Sequence, residues 1–378
     1  MTEVAELTRE LVSIPSHDDE TEAGDYVENW LREETDADVT RDGAGNVVAR
    51  RDPEGDAAAS VADDTSESAE SLALVGHHDV VPPDDSQTTD DGSYVVSERD
   101  GRLYGRGTAD MKGAVAAAML AFRDADLGDT AADSPRELVF ASFVGEEQGG
   151  IGARAAIEDG FAPDYAVVGE GSTGYSAEGV TDVAVAHKGR RGSTVVARGT
   201  SAHASEPEAG ENAVYRACDA VDVVRDLDFP ATEVLGEEVR GSVAVTEIDG
   251  GSAWNVIPEE CTVTIDERTV PGERADLERV ETVEGVEWRV DQDLPPMRCD
   301  DEDFAETVLT AASETQDSDP RLVSKPHATD AGWLAEAGTT CVVCGPAEPG
   351  EAHTDDESAS LAVLERCYEI YRGAAERF

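Results

Sequence analysis

Residues 74–83 read LVGHHDVVPP, an apolar run that ends in two histidines and an aspartate, followed by two valines and two prolines. The stretch leading into it, SLALVG, is short, apolar and closed by glycine, which predicts a buried strand. Along a strand, side chains i and i+2 face the same way. His77 and Asp79 are therefore expected to point together past the strand's carboxyl end, with His78 turned away. Open α/β sheets bind ligands at those ends. A metal-binding histidine commonly gives its second ring N–H to a carboxylate, which fixes the tautomer. Asp79 is spaced to do this for His77, although a polar strand end explains the same residues.

The same placement recurs along the chain. LYGRGTADMKGA puts Asp110 just before a helical pattern, and FVGEEQGGIGA puts Glu146 and Glu147 directly after the run LVFASFV. DYAVVGEGSTG puts Glu170 after AVVG, and GEAHTDDE puts His353 shortly after TTCVVCG. With 84 acidic residues among 378, none of these carboxylates is informative alone. Their common position after buried runs is what singles them out. Two histidines with several carboxylates suit a borderline cation such as Zn²⁺. In two-metal hydrolytic sites the ions lie about 3.5–4 Å apart and share a water, and a carboxylate beside that water serves as general base. The adjacent pair Glu146 and Glu147 offers one ligand and one base.

Outward from these motifs, Ala23, Tyr26, Val27, Trp30 and Leu31 repeat at helical spacing. Asp42-Gly43-Ala44-Gly45 before NVVARR predicts a hairpin. Residues 53–70 are acidic and of low complexity, and read as a solvated loop. Strand-like runs then alternate with helical patterns, one marked by Val115, Ala118, Met119 and Phe122. That alternation predicts an α/β fold, a mixed, mostly parallel sheet with helices on both faces. Near residue 178 the pattern becomes β-β-α-β-β-α-β, with helices expected at NAVYRACDAVDVV and ADLERVETV. The α/β pattern resumes at Leu294-Pro295-Pro296 and ends on a helix marked by Leu361, Leu364, Tyr368 and Tyr371. The expected organisation is a catalytic, metal-binding domain of residues 1–177 and 295–378. Residues 178–294 form an inserted α+β domain, ferredoxin-like, with a four-stranded sheet and two helices. Cys341 and Cys344 form a CxxC inside an apolar run, which reads as a buried strand rather than a redox or zinc motif.

The formal net charge is −55, and only Lys112, Lys188 and Lys325 are lysines. Such a surface repels nucleic acid and anionic membranes. No apolar run is long enough to cross a membrane, and the acidic N-terminus lacks the basic start of a signal peptide. A cytoplasmic, halophilic protein is expected. At about 1 M salt the Debye length is roughly 3 Å, which screens repulsion between carboxylates.

The order HxD, GRGxADMKG, EE, GE, HxxDE resembles the M20 family of metallopeptidases and deacylases, which includes acetylornithine deacetylase, succinyl-diaminopimelate desuccinylase, aminoacylases and glutamate carboxypeptidases. The resemblance extends through HKGRRG, GTSAHASEPEAGENA and NVIPEECTVTIDERTVPGE. It implies two divalent metal ions, zinc foremost, with cobalt or manganese as alternatives. His77 and Glu170 would bind one ion, Glu147 and His353 the other, and Asp110 would bridge them. Asp79 would orient His77, and Glu146 would be the general base. His203 would stabilise the oxyanion across a homodimer interface. Asn255 and Arg268 would grip the substrate's carboxylate region from an inserted lid and dimerisation domain. The substrate would be a small N-acyl amino acid, with a dipeptide or C-terminal peptide residue as the alternative. A metal-binding inactive homologue is the non-enzyme alternative, against which the presence of Glu146 argues. Two departures stand out: Gly171 where many members carry proline, and Ala347 where many carry glycine.

Overall fold

The computed structural model describes residues 2–51, 70–128 and 136–378. The acidic stretch expected to be a surface loop, up to residue 69, lies outside the described residues.

Glu70–His77 is the strand that LVGHHD predicts, and all but its first residue are buried. It lies in a sheet of nine strands among the described residues. Arg136–Phe143 and Tyr165–Val168 flank it, both parallel to it, and Thr340–Val343 follows, parallel to Tyr165–Val168. Parallel strands bury both faces, so they read as continuous apolar runs. This is why SLALVG, LVFASFV and TTCVVCG are legible without alternation. The antiparallel strands Asp38–Arg41 and Val47–Arg51 close one edge. Their turn is set by Asp42, whose Oδ1 accepts from the backbone N–H groups of Ala44, Gly45 and Asn46 at 2.8–2.9 Å.

The helix Gly113–Asp124 is alanine-rich and buried on all sides. Its small residues let it lie close to the final helix Leu361–Arg377: a Cβ on Gly113 would come within 2.7 Å of Leu364 Cδ2. All six cysteines are free, and Cys341 and Cys344 are buried in or beside their strand. No described helix is long and apolar enough to cross a membrane.

The chain divides into two compact units. The smaller comprises His187–Met297 and Pro326–Ala328, so the crossings fall at 187 and 297 rather than at the expected 178 and 294. The reason is local. Val183–His187 is fully buried and joins the large sheet antiparallel to Thr340–Val343, and Met297–Arg298 is that sheet's end strand.

The smaller unit carries a four-stranded antiparallel sheet, ordered Ser242–Gly250, Glu260–Thr269, Gly189–Arg198, Val286–Leu294. With the strands numbered along the chain this order is 2-3-1-4, the ferredoxin-like arrangement. One α-helix, Ala213–Arg225, covers it. The second expected helix is only a 3-10 segment, Leu277–Thr282. Valine and threonine crowd that stretch, and such β-branched residues lose rotamer freedom in a helix. Leu277 and Val280 nevertheless join the apolar core with Val195, Ala217, Val263 and Ile265.

Candidate metal centre

Five polar side chains, drawn from three strand ends, one helix start and the turn that carries His353, converge in the larger unit. His77 is buried at the last position of its strand. Its Nδ1 lies 3.2 Å from Asp79 Oδ1. Its Nε2 faces Asp110 Oδ1 at 3.1 Å and Glu170 Oε1 at 3.5 Å. On the opposite side, His353 Nε2 lies 3.1 Å from Asp110 Oδ2 and 2.8 Å from Glu147 Oε1. Asp110 thus offers one oxygen toward each histidine. His78 turns the other way, as strand alternation requires: its Nδ1 meets Ser142 Oγ at 2.8 Å, and burial pushes its pKa down to about 3.

Asp79 does more than its spacing suggests. Its two oxygens accept from the backbone N–H groups of Glu146 and Glu147, each at 3.1 Å. One carboxylate therefore fixes the imidazole of His77 and the turn that presents both glutamates. That turn ends at Gly150, with φ +74°; a Cβ there would lie 2.5 Å from Trp333 Nε1 and 2.7 Å from Asp330 Oδ1. Glycine is required by both the backbone and the space.

The electrostatics describe a pocket in which carboxylates outnumber the cationic side chains. Hydrogen bonds to Asp110 and Glu147 push His353 up to about 10. Burial alone would depress His77, but Asp79, Asp110 and Glu170 outweigh it and hold the ring protonated well above its usual range. Burial, against the attraction of His77, holds the Glu146 carboxyl well up, with Asp330, Glu170 and Asp110 adding to it. Carboxylates that favour protonated histidines also favour a cation among the same donors, and metal binding releases such protons. The ligand atoms of His77, Asp110 and Glu147 lie within 4.8 Å of one another, as do those of His77, Glu146 and Glu170. Imidazole and carboxylate donors at this separation fit Zn²⁺ or a similar divalent ion.

Two neighbours carry no role in the sequence reading. Glu357 is buried, and its Oε1 accepts from the backbone N–H groups of Gly107, Ala109 and Asp110 at 2.9, 3.0 and 3.2 Å while Oε2 pairs with Arg106. It holds the loop that carries Asp110. Lys325, also buried, places Nζ 3.5 Å from Glu170 Oε2. Lysine is so rare in this chain that its rarity is a signal; Glu357 ends the HTDDE run already singled out.

The remaining expected site residues belong to the smaller unit. His203 and Asn255 are neighbours, with Nε2 and Nδ2 3.5 Å apart, and His203 Nδ1 meets Ser205 Oγ at 2.6 Å. Arg268 donates from Nε to Asp266 Oδ1 at 2.7 Å. His187 is buried, with Nδ1 3.1 Å from the Lys188 carbonyl. The two departures from the family pattern face each other: a Cβ on Gly171 would lie 2.7 Å from both Ala347 Cβ and its carbonyl oxygen.

Known proteins resemble this chain in sequence and in fold. The sequence pattern of peptidase family M20/M25/M40 matches residues 73–377. An acetylornithine deacetylase of Myxococcus xanthus is 30% identical over 331 residues, covering 81% of this chain and 80% of that protein. Among solved structures, aminopeptidase PepT of Bacillus cereus superposes with a TM-score of 0.74 at 20% identity, over 99% of this chain and 98% of that one. The dinuclear metal-binding peptidase YXEP of Bacillus subtilis does so with a TM-score of 0.68 at 14% identity, over 99% and 96%. On the span of the sequence match, and with that deacetylase as a relative, this chain belongs to peptidase family M20/M25/M40.

Proposed function

We propose that the chain is a deacylase that hydrolyses the amide bond of an N-acyl amino acid, of the acetylornithine or succinyl-diaminopimelate type. His77 and Glu170 hold one divalent cation, Glu147 and His353 a second, and Asp110 serves both. The observation that carries this is Asp110, with one oxygen 3.1 Å from each histidine. Zinc is the first choice of ion, with cobalt and manganese as rivals. A bound ion pair supplies a water of lowered pKa and a polarised carbonyl.

The chain's own groups do the rest. Asp79 keeps His77 in the tautomer that presents Nε2. Glu146 takes the proton of the attacking water and returns it to the departing amine. His203, Asn255 and Arg268 are read as contacts to the substrate, the last through the planar fork that suits a carboxylate.

The reading includes a cytoplasmic homodimer. Six free cysteines suit a reducing compartment. The strand Ser242–Gly250 is an exposed edge with Ile248 half-exposed, and Tyr215 and Trp254 also stand in solvent. Such an edge invites pairing with a second copy.

Two outcomes test the proposal. His77→Ala is expected to lose bound metal along with activity, read by elemental analysis after desalting; a full complement of ions would remove His77 from the ligand set. In a panel of acetyl and succinyl amino acids and dipeptides, assayed at molar salt with Zn²⁺, Co²⁺ or Mn²⁺, an acyl amino acid is expected to give the highest kcat/KM. A dipeptide turned over tenfold better would make the enzyme a peptidase.

A further inference from the structure

The two cation positions have the same donors: one imidazole, one glutamate and a share of Asp110. Their surroundings differ. Glu147 meets the half-exposed His353, and among the described residues no lysine or arginine pairs with it. Glu170 has one oxygen toward His77 and the other 3.5 Å from the ammonium of Lys325, which is only 4% exposed. A buried lysine is rare unless it has a task, and two of this chain's three lysines are buried.

We infer that Lys325 makes the two positions unequal, weakening the one at His77 and Glu170. This rests on the two-cation reading of the site. The ammonium neutralises part of the carboxylate charge that an ion there would feel. It also occupies the second oxygen of Glu170, leaving one for coordination. Finally, it places a positive charge next to the ion itself, in surroundings where screening is poor. The position at His353 has none of these three handicaps. The chain therefore fills in order, His353 first and His77 second, and the supply of ion needed for the complete centre is set by Lys325.

The test is a titration of the full-length, ion-stripped protein in molar potassium chloride with Co²⁺, followed by visible absorption and calorimetry. Wild type is expected to take two ions in two separated steps. Lys325→Met should tighten the weaker step about tenfold or more, leaving the stronger one unchanged, whereas Lys325→Arg should leave both within about threefold. In a His353→Ala background, which isolates the position at His77, the same tightening by Lys325→Met should appear directly. Circular dichroism and an unchanged stronger step show that the variants are folded. A weaker step that Lys325→Met leaves unchanged or loosens would overturn the role of the lysine while leaving the two-cation reading intact. Two equal steps in wild type would also overturn it. Uptake of a single ion by wild type would bring down the two-cation reading, and the inequality with it.

Discussion

Glu146→Gln is expected to retain two divalent ions per chain and to lose turnover by about a thousandfold, roughly 4 kcal/mol of transition-state stabilisation. Glutamine keeps the size of the side chain, and the backbone N–H bond to Asp79 that positions residue 146 is unaffected by the change. What disappears is a carboxylate able to take a proton and give it back. Metal content by elemental analysis and steady-state rates on the best acyl amino acid decide the matter together. Intact metal with a near wild-type rate would show that another group is the base. Loss of one ion would make Glu146 a ligand, which its position within 4.8 Å of His77 and Glu170 donors allows.

The second large effect concerns salt. Dialysis from molar potassium chloride to about 0.1 M is expected to unfold the protein cooperatively, with loss of helical circular dichroism and of activity. The Debye length grows from roughly 3 Å to roughly 10 Å over that range, so carboxylates that ignored each other begin to repel. A formal charge of −55 leaves little to oppose this. The visible ion pairs are mostly exposed arginine–carboxylate contacts such as Arg9 with Glu98, Arg32 with Glu28 and Arg225 with Asp222. Each is worth at most about 1 kcal/mol. Two of the three lysines are buried and take no part at the surface. Full retention of structure and activity in dilute buffer would refute the dependence.

The sequence reading succeeded where information is local. Strands buried on both faces appear as unbroken apolar runs, so the strand ends could be marked, and the placement of His77, Glu146, Glu147 and Glu170 just at or after them follows directly. The Asp42 turn is legible because its hydrogen bonds span four residues. It failed where information is distant or ambiguous. Val183–Ala186 reads equally well as the start of the inserted unit or as a strand of the large sheet. Only its pairing with Val343 decides. ADLERVETV has helical spacing but β-branched composition, and composition prevailed. Glu357 and Lys325 escaped because their partners lie 251 and 155 residues away. Among 84 acidic residues, only its place at the end of the HTDDE run set Glu357 apart.

Glu357 has a consequence for how the enzyme comes into being. Its carboxylate gathers three N–H groups of the loop bearing Asp110, yet it follows Asp110 by 247 residues. A ribosome delivers chains from the amino end, so the loop emerges long before its anchor, and His353 arrives in the same late stretch. A partly synthesised chain holds His77, Glu147 and Glu170 without a finished centre. On the proposed reading, hydrolytic competence therefore waits until residues 353–357 have emerged and folded back onto the loop of Asp110.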